Sequence, residues 1–146
     1  MNDVATLLGG TKTVLLIDWP SRDVPDTLAR SHFTVISNDG PDEYNEYEVD
    51  GGEIRVRDVG QLPKRADLVY THRPIDELPE IVDTAKALGA KAVWIQSGRD
   101  KTGAKDPRGC WMPQAESARA RKLVEGAGLT YVEAPYIADV ARALQS

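Results

Sequence analysis

Residues 67–96, DLVYTHRPIDELPEIVDTAKALGAKAVWIQ, carry the pattern that decides the fold. The stretch opens on a short apolar run rich in strand formers (67–71), bounded by polar neighbours, which predicts a strand. After Pro74, the residues Ile75, Leu78, Ile81, Val82, Ala85 and Leu88 recur at helical spacing, and Gly89 supplies a C-terminal stop. A second bounded apolar run, KAVWIQ at 91–96, predicts another strand. Strand, helix and strand in immediate succession read as one parallel crossover.

The same alternation extends in both directions. Upstream, TVLLID at 13–18 predicts a strand, Trp19-Pro20-Ser21 a turn, and 23–30 a helix with Pro25 in its first turn, where the missing N–H costs nothing. FTVIS at 33–37 predicts the next strand, and Asn38-Asp39-Gly40-Pro41 is a cluster expected to turn the chain and stop pairing. The acidic stretch 42–50 reads as a solvated loop, with Tyr44 and Tyr47 at its solvent edge, leading through Gly51-Gly52 to a weaker strand at 53–57. Downstream, a helix is predicted over about 114–125, a strand over 129–132 and a helix over 136–144 with Pro135 before it. Apolar strands without strict alternation need covering on both faces, and the intervening helices supply the covers. The expectation is an α/β fold with a doubly wound, mainly parallel sheet of about five strands and helices on both faces.

Composition narrows the functional classes. A chain of 146 residues fits one domain, 1–146, and leaves no room for two catalytic domains. With 41% hydrophobic and 28% charged residues it has the make-up of a soluble globular protein. One cysteine, Cys110, excludes an internal disulfide, and with two histidines the chain lacks the ligands of a structural zinc site. A reducing, cytoplasmic setting follows as the expectation, supported by the absence from MNDVATLLGG of a basic start and long apolar run, and of any apolar stretch of roughly 20 residues that could cross a bilayer. Of the net charge of −5, the segment 42–50 alone contributes five acids and no base. The rest is neutral, with only a local basic cluster at Arg119, Arg121 and Lys122, so nucleic acid is not an expected partner.

In doubly wound sheets ligands lie outside the carboxyl ends of the strands where strand order reverses. Four loops qualify here: 18–22, 37–40, 71–74 and 96–99, and they are expected to line one crevice. Arg22, Arg73 and Arg99 can pair with phosphates, while Ser37, Asn38, Gln96 and Ser97 can address a ribose or an amide. Each arginine alone is as readily a solvated or helix-capping residue. Asp18, Trp19 and Pro20 stand where a glycine turn would cradle a pyrophosphate, and a carboxylate, a bulky ring and a residue without N–H all work against such a nest. Trp19 either stacks on a base or packs into the cleft, with packing favoured. Asp39 lies at the interval of a ribose-binding acid but reads better as a turn residue, and His72 either acts as a base or makes a hydrogen bond, with the second favoured. The loop 99–113, rich in Gly and Pro and holding Cys110 between Arg108-Gly109 and Trp111, is long enough to carry function.

ADLVYTHRPIDELPEIVDTAKALGAKAVWIQSG, residues 66–98, resembles the small CoA-binding proteins whose Rossmann-like domain is similar to the N-terminal part of the succinyl-CoA synthetase alpha subunit. Gly89-Ala90-Lys91 and Trp94, Gln96 and Gly98 match most sharply, and TKTVLLID and EGAGLTYVEAP extend the likeness. The resemblance implies a Rossmann-like fold and a crevice for CoA or an acyl-CoA lined by Asp18, Trp19, Pro20, Ser21 and Arg22, by Ser37 and Asn38, by Arg73 and Pro74, and by Gln96, Ser97, Gly98 and Arg99. Members of that family are binding modules without demonstrated catalysis. Three departures stand out: the family's Gly-Ala-Ser turn is Asp18-Trp19-Pro20, its Cys-Pro before the last helix is Ala134-Pro135, and 99–113 looks inserted. The leading expectation is therefore a CoA- or acyl-CoA-binding protein. Alternatives are a scaffold that has lost CoA and engages a protein partner through 99–113, and a nucleotide-dependent enzyme using His72 and Asp18.

Overall fold

The computed structural model describes residues 3–98, 102, 104, 105, 112–133 and 136–144. A short helix α1 (Asp3–Gly9) precedes strand β1 (Thr13–Ile17), helix α2 (Asp23–Arg30) and strand β2 (Thr34–Gly40). Strands β3 (Glu43–Asp50) and β4 (Glu53–Asp58) follow, then β5 (Leu68–Thr71), a 3₁₀ turn (Ile75–Glu77), α3 (Leu78–Ala87), β6 (Ala92–Ile95), α4 (Gln114–Gly126), β7 (Thr130–Glu133) and α5 (Ile137–Leu144). The sheet order is β4-β3-β2-β1-β5-β6-β7. β1 is parallel to both β2 and β5, and β5, β6 and β7 are parallel to one another.

Alternate residues of the central strands enter two separate cores. Val14, Leu16, Tyr70 and Trp94 point to the face covered by α1, α2 and α5, where Leu8, Leu28, Ile137 and Ala141 meet them. Leu15, Val69, Val93 and Ile95 point to the other face, against Ile81, Val82 and Ala85 of α3 and Ala120 and Val124 of α4. This is the doubly wound architecture expected from the apolar runs, in the Rossmann-like form that the resemblance implies. β1 lies where the winding reverses, because one crossover leads to β2 on one side and the chain returns to β5 on the other.

The strand count is corrected upwards, to seven strands among the described residues. The acidic stretch 42–50 is not a loop: β3 pairs antiparallel with β2 and with β4. Three of its five acids meet arginines of the neighbouring strand, Arg57 donating to Glu46 and Glu48 and Arg55 pairing with Asp50, at 3.0 Å each, which offsets part of the charge along the segment. Tyr47 is correspondingly buried at 7% exposure, opposite Val35 and Val56, rather than at a solvent edge. The Asn38-Asp39-Gly40 cluster does not end β2 either; the register shifts between Asn38 and Gly40, and pairing continues through the irregularity.

Asp50 pairs with Glu53 across a two-residue turn in which Gly51 and Gly52 have φ of 62° and 85°. Two successive left-handed residues are what a tight hairpin with native twist demands. Replacing Gly51 by valine forces a β-branched residue into that region, and urea denaturation is expected to show a loss of about 1–2 kcal/mol. An unchanged midpoint would mean the hairpin contributes nothing to the cooperative unit.

Candidate functional site

The carboxyl end of β1 passes directly into Asp18, whose φ is 66°. Aspartate is one of the few side chains that tolerate this region, so the turn keeps a glycine-like backbone while carrying a carboxylate. Asp18 Oδ1 accepts from the N–H of Trp19 at 3.0 Å, and Pro20 has no N–H to offer. Trp19 is half-buried against the α2/α5 core and also lines the cleft outside β1.

That cleft, of about 790 Å³, is walled by Ile17, Asp18 and Trp19, by Asn38 to Asp42 and Tyr44, and by Arg73, Glu77 and Glu80. Three of the four expected loops therefore meet. Among the described residues its charge is the reverse of the expectation: Asp18, Asp39, Asp42, Glu77 and Glu80 face one arginine, Arg73. Arg73 is already held, donating through Nε to Glu77 at 3.0 Å and lying 3.6 Å from Asp18 Oδ2. Glu77 and Glu80 escaped the sequence reading, although both continue the helical spacing from Arg73 at four and seven residues. Asp39 is not a turn residue but lies in β2 at its irregularity, its carboxylate accepting from Ser37 Oγ at 2.9 Å and from Asn45 Nδ2.

The other candidates occupy different surroundings. Arg22 is exposed, pairs with Asp26 at 3.0 Å and lies over the Tyr47 ring at 5.0 Å from its centroid. Ser21 is exposed with Oγ 3.5 Å from the Tyr136 hydroxyl, and Pro74 opens the 3₁₀ turn. Ser37 is fully buried, and the Asn38 side chain accepts from the N–H of Gly40 at 3.3 Å. Gln96, Ser97 and Gly98 are buried beneath the sheet's edge and do not line the cleft's described walls. Gln96 Oε1 accepts from the Tyr70 hydroxyl at 3.0 Å, and Ser97 Oγ donates to Glu133, which also takes the Tyr131 hydroxyl at 2.6 Å. Burial drives the Tyr70 hydroxyl pKa strongly upward, so this network stays neutral at tyrosine. Arg99, Cys110 and the Ala134-Pro135 departure lie outside the described residues.

His72 follows β5 directly and stands beside Arg73. Its Nδ1 stands 4.0 Å from Asp18 Oδ2, an ion-pair distance too long for a hydrogen bond, and its Nε2 is buried without a partner among the described residues. Burial lowers its pKa below the usual 6.5; Asp18 opposes this and Arg73 reinforces it.

The family model for a CoA binding domain matches residues 18–138. The chain belongs to the CoA-binding domain family. A search of the curated proteins finds no relative. Among solved structures, a Thermus thermophilus protein, cell-free ID.343, is 22% identical over 99% of both chains with a TM-score of 0.61. The PH1109 protein redesigned for binding is 17% identical over 98% of this chain and 90% of its own, with a TM-score of 0.59. A conserved hypothetical protein from Pyrococcus furiosus is 21% identical over 88% of this chain and 97% of its own, at 0.52. These likenesses show a shared fold over the whole arrangement of sheet and helices. No helix among the described residues is long and apolar enough to cross a membrane.

The lowered pKa of His72 fixes the sign of one pH effect. Between the folded-state value and 6.5 the unfolded chain binds more protons, so stability rises with pH in that window and is lost as pH falls through it. NMR titration is expected to place the His72 midpoint below 6.5, and His72→Gln should flatten the fall in unfolding free energy between about pH 7 and 5.5. A midpoint above 6.5 would show that Asp18 outweighs burial.

Proposed function

We propose that this CoA-binding domain protein binds CoA or an acyl-CoA in the cleft at the carboxyl ends of β1, β2 and β5, as a binding module to which no reaction is assigned. One observation carries the reading: the family match starts at Asp18, and that residue holds a left-handed turn at the switch point despite its side chain. In this reading Arg73 takes the phosphates, joined by Arg22, once released from Asp26, and by Arg99, which lies outside the described residues. Trp19 offers a ring to the planar base, Asp18 to Ser21 and Ser37-Asn38 shape the turn around it, and Pro74 bounds the far side. Gln96 to Gly98 hold the floor behind the pantetheine. The setting is cytoplasmic, and the chain acts as one domain over 1–146 with an insertion at 99–113, most of which lies outside the described residues.

Arg73 must exchange Glu77 for phosphate on binding. Exposed pairs of this kind are worth about 0–1 kcal/mol, so the exchange is inexpensive against a charge-assisted, bidentate contact. The acidic walls remain a standing penalty. They also favour a second reading, in which the slot no longer takes CoA and the domain engages a protein partner, with the loop 99–113 as its surface.

Thermal denaturation with CoA, ATP and NAD separates the two. Specific binding at a hundredfold excess over Kd stabilises by about 2.7 kcal/mol and is expected to raise Tm by about 5–10 °C for CoA above the other nucleotides. No shift at millimolar CoA removes the leading reading in favour of the scaffold. Asp18→Gly keeps the backbone turn and deletes one carboxylate, and it is expected to tighten CoA about five-fold in calorimetry, from roughly 1 kcal/mol of relieved repulsion. Weaker binding would show instead that the carboxylate contacts the ligand favourably.

A further inference from the structure

On the far side of the 3₁₀ turn from the acidic cleft lies a second concavity, of about 480 Å³, between that turn, α3 and α4. Ile75, Pro79 and Leu123 give it apolar walls, and Arg119, Lys122 and Asp76 stand at its rim. Leu123 is 41% exposed, one of the more exposed large apolar side chains among the described residues. The floor is closed behind Ile75, where Leu78, Ile95, Met112 and Ala120 leave only a hollow of about 10 Å³.

Its two cations differ from the other charged arginines nearby. Arg121 on the same helix is engaged by Glu125 at 3.0 Å, and Arg73 beyond the 3₁₀ turn by Glu77, whereas Arg119 and Lys122 form no ion pair among the described residues. Arg119, Lys122 and Leu123 stand at positions i, i+3 and i+4 of α4, which brings two positive heads and one apolar side chain onto one helix face. In a chain of net charge −5, this leaves a local excess of one positive charge beside uncovered apolar surface. Small-molecule sites combine a mostly apolar concavity with a few placed polar groups, and a volume of this size lies within their usual span of about 300–1,000 Å³.

We infer that the α3–α4 groove is a second binding site, for an amphipathic monocarboxylate. The carboxylate sits between Arg119 and Lys122 by charge-assisted hydrogen bonds, and the hydrocarbon or aryl tail lies along Ile75, Pro79 and Leu123. Asp76 sets the charge class: with two cations and one acid at the rim, a single negative charge is matched, and a polyphosphate is not. The site is separate from the acidic cleft, since the 3₁₀ turn stands between the two.

The test is a titration of the ¹⁵N-labelled protein with sodium octanoate below its micellar concentration, followed by amide shifts, with 1-octanol as the uncharged control. Octanoate is expected to move the amides of Ile75, Asp76, Arg119, Lys122 and Leu123 saturably while leaving those of Asp18 and Trp19 in place. The exposed-surface variant Arg119→Glu/Lys122→Glu, its fold verified by its own spectrum, should bind octanoate at least tenfold more weakly and octanol unchanged. Absence of saturable shifts at millimolar octanoate, equal binding of octanol and octanoate, or undiminished binding by the double variant would each overturn the assignment. Shifts confined to Asp18 and Trp19 would place the anion in the first cleft and overturn it as well.

Discussion

A strand buried on both faces must be covered twice, and β1 imposes that requirement on everything around it. Val14, Leu15 and Leu16 have no exposed surface, yet they point to opposite cores. Slipping β1 by one residue would send each side chain to the wrong face, so the register with β2 and β5 is fixed by packing as well as by the ladder. Its beginning is clamped separately: the Asp67 carboxylate accepts from the N–H groups of Lys12 and Thr13 at 2.9 Å each, hydrogen bonds that hold its pKa low. With the start pinned and the middle locked, the position of Asp18 at the other end is determined to within a turn. The functional edge of the sheet is thus a consequence of burial elsewhere in the strand.

Electrostatics divides that edge into unlike halves. The 3₁₀ turn before α3 carries Glu77 toward the β1–β2 side and Asp76 toward α4, and the remaining charges follow the same partition, acids to one side and unpaired cations to the other. Field effects of exposed charges decay over about 8 Å at physiological salt, so each concavity responds mainly to its own rim. A polyanion approaching the switch-point cleft gains no steering from it and must rely on close contacts. A monoanion approaching the α3–α4 groove is attracted from the outset. One fold can in this way present two anion-accepting geometries with opposite association behaviour.

Legibility in the sequence tracks how local each determinant is. The five parallel strands and the helices α2 to α5 were readable because apolar runs and 3.6-residue spacing are properties of single segments. The β3–β4 hairpin was obscured because the partners of Glu46 and Glu48 lie on the next strand, at Arg55 and Arg57, although Gly51-Gly52 between two polar runs carried the hairpin signal. Gln96 and Ser97 looked available to a ligand for a similar reason. Nothing near them in the chain announces that Tyr70 and Glu133 will take up their side chains. By contrast, the engagement of Arg22 with Asp26 and of Arg73 with Glu77 sits at i, i+4 and could have been anticipated from spacing alone.

The Asp-Trp-Pro corner shows how a binding turn can keep its path while changing what it recognises. A phosphate nest needs successive free N–H groups aimed outward. Here the N–H of Trp19 is taken by the preceding carboxylate, Pro20 contributes none, and the carboxylate itself repels the phosphate it replaces as acceptor. The backbone curve at φ 66° survives because Asp can occupy it, so the space outside β1 remains open. What that space offers is an indole face and a carboxylate in place of a ring of donors. A neutral planar group is better matched to this corner than a pyrophosphate is. On the proposed reading, the phosphates of the ligand lie toward Arg73, displaced along the sheet's edge from the place a glycine turn would have given them.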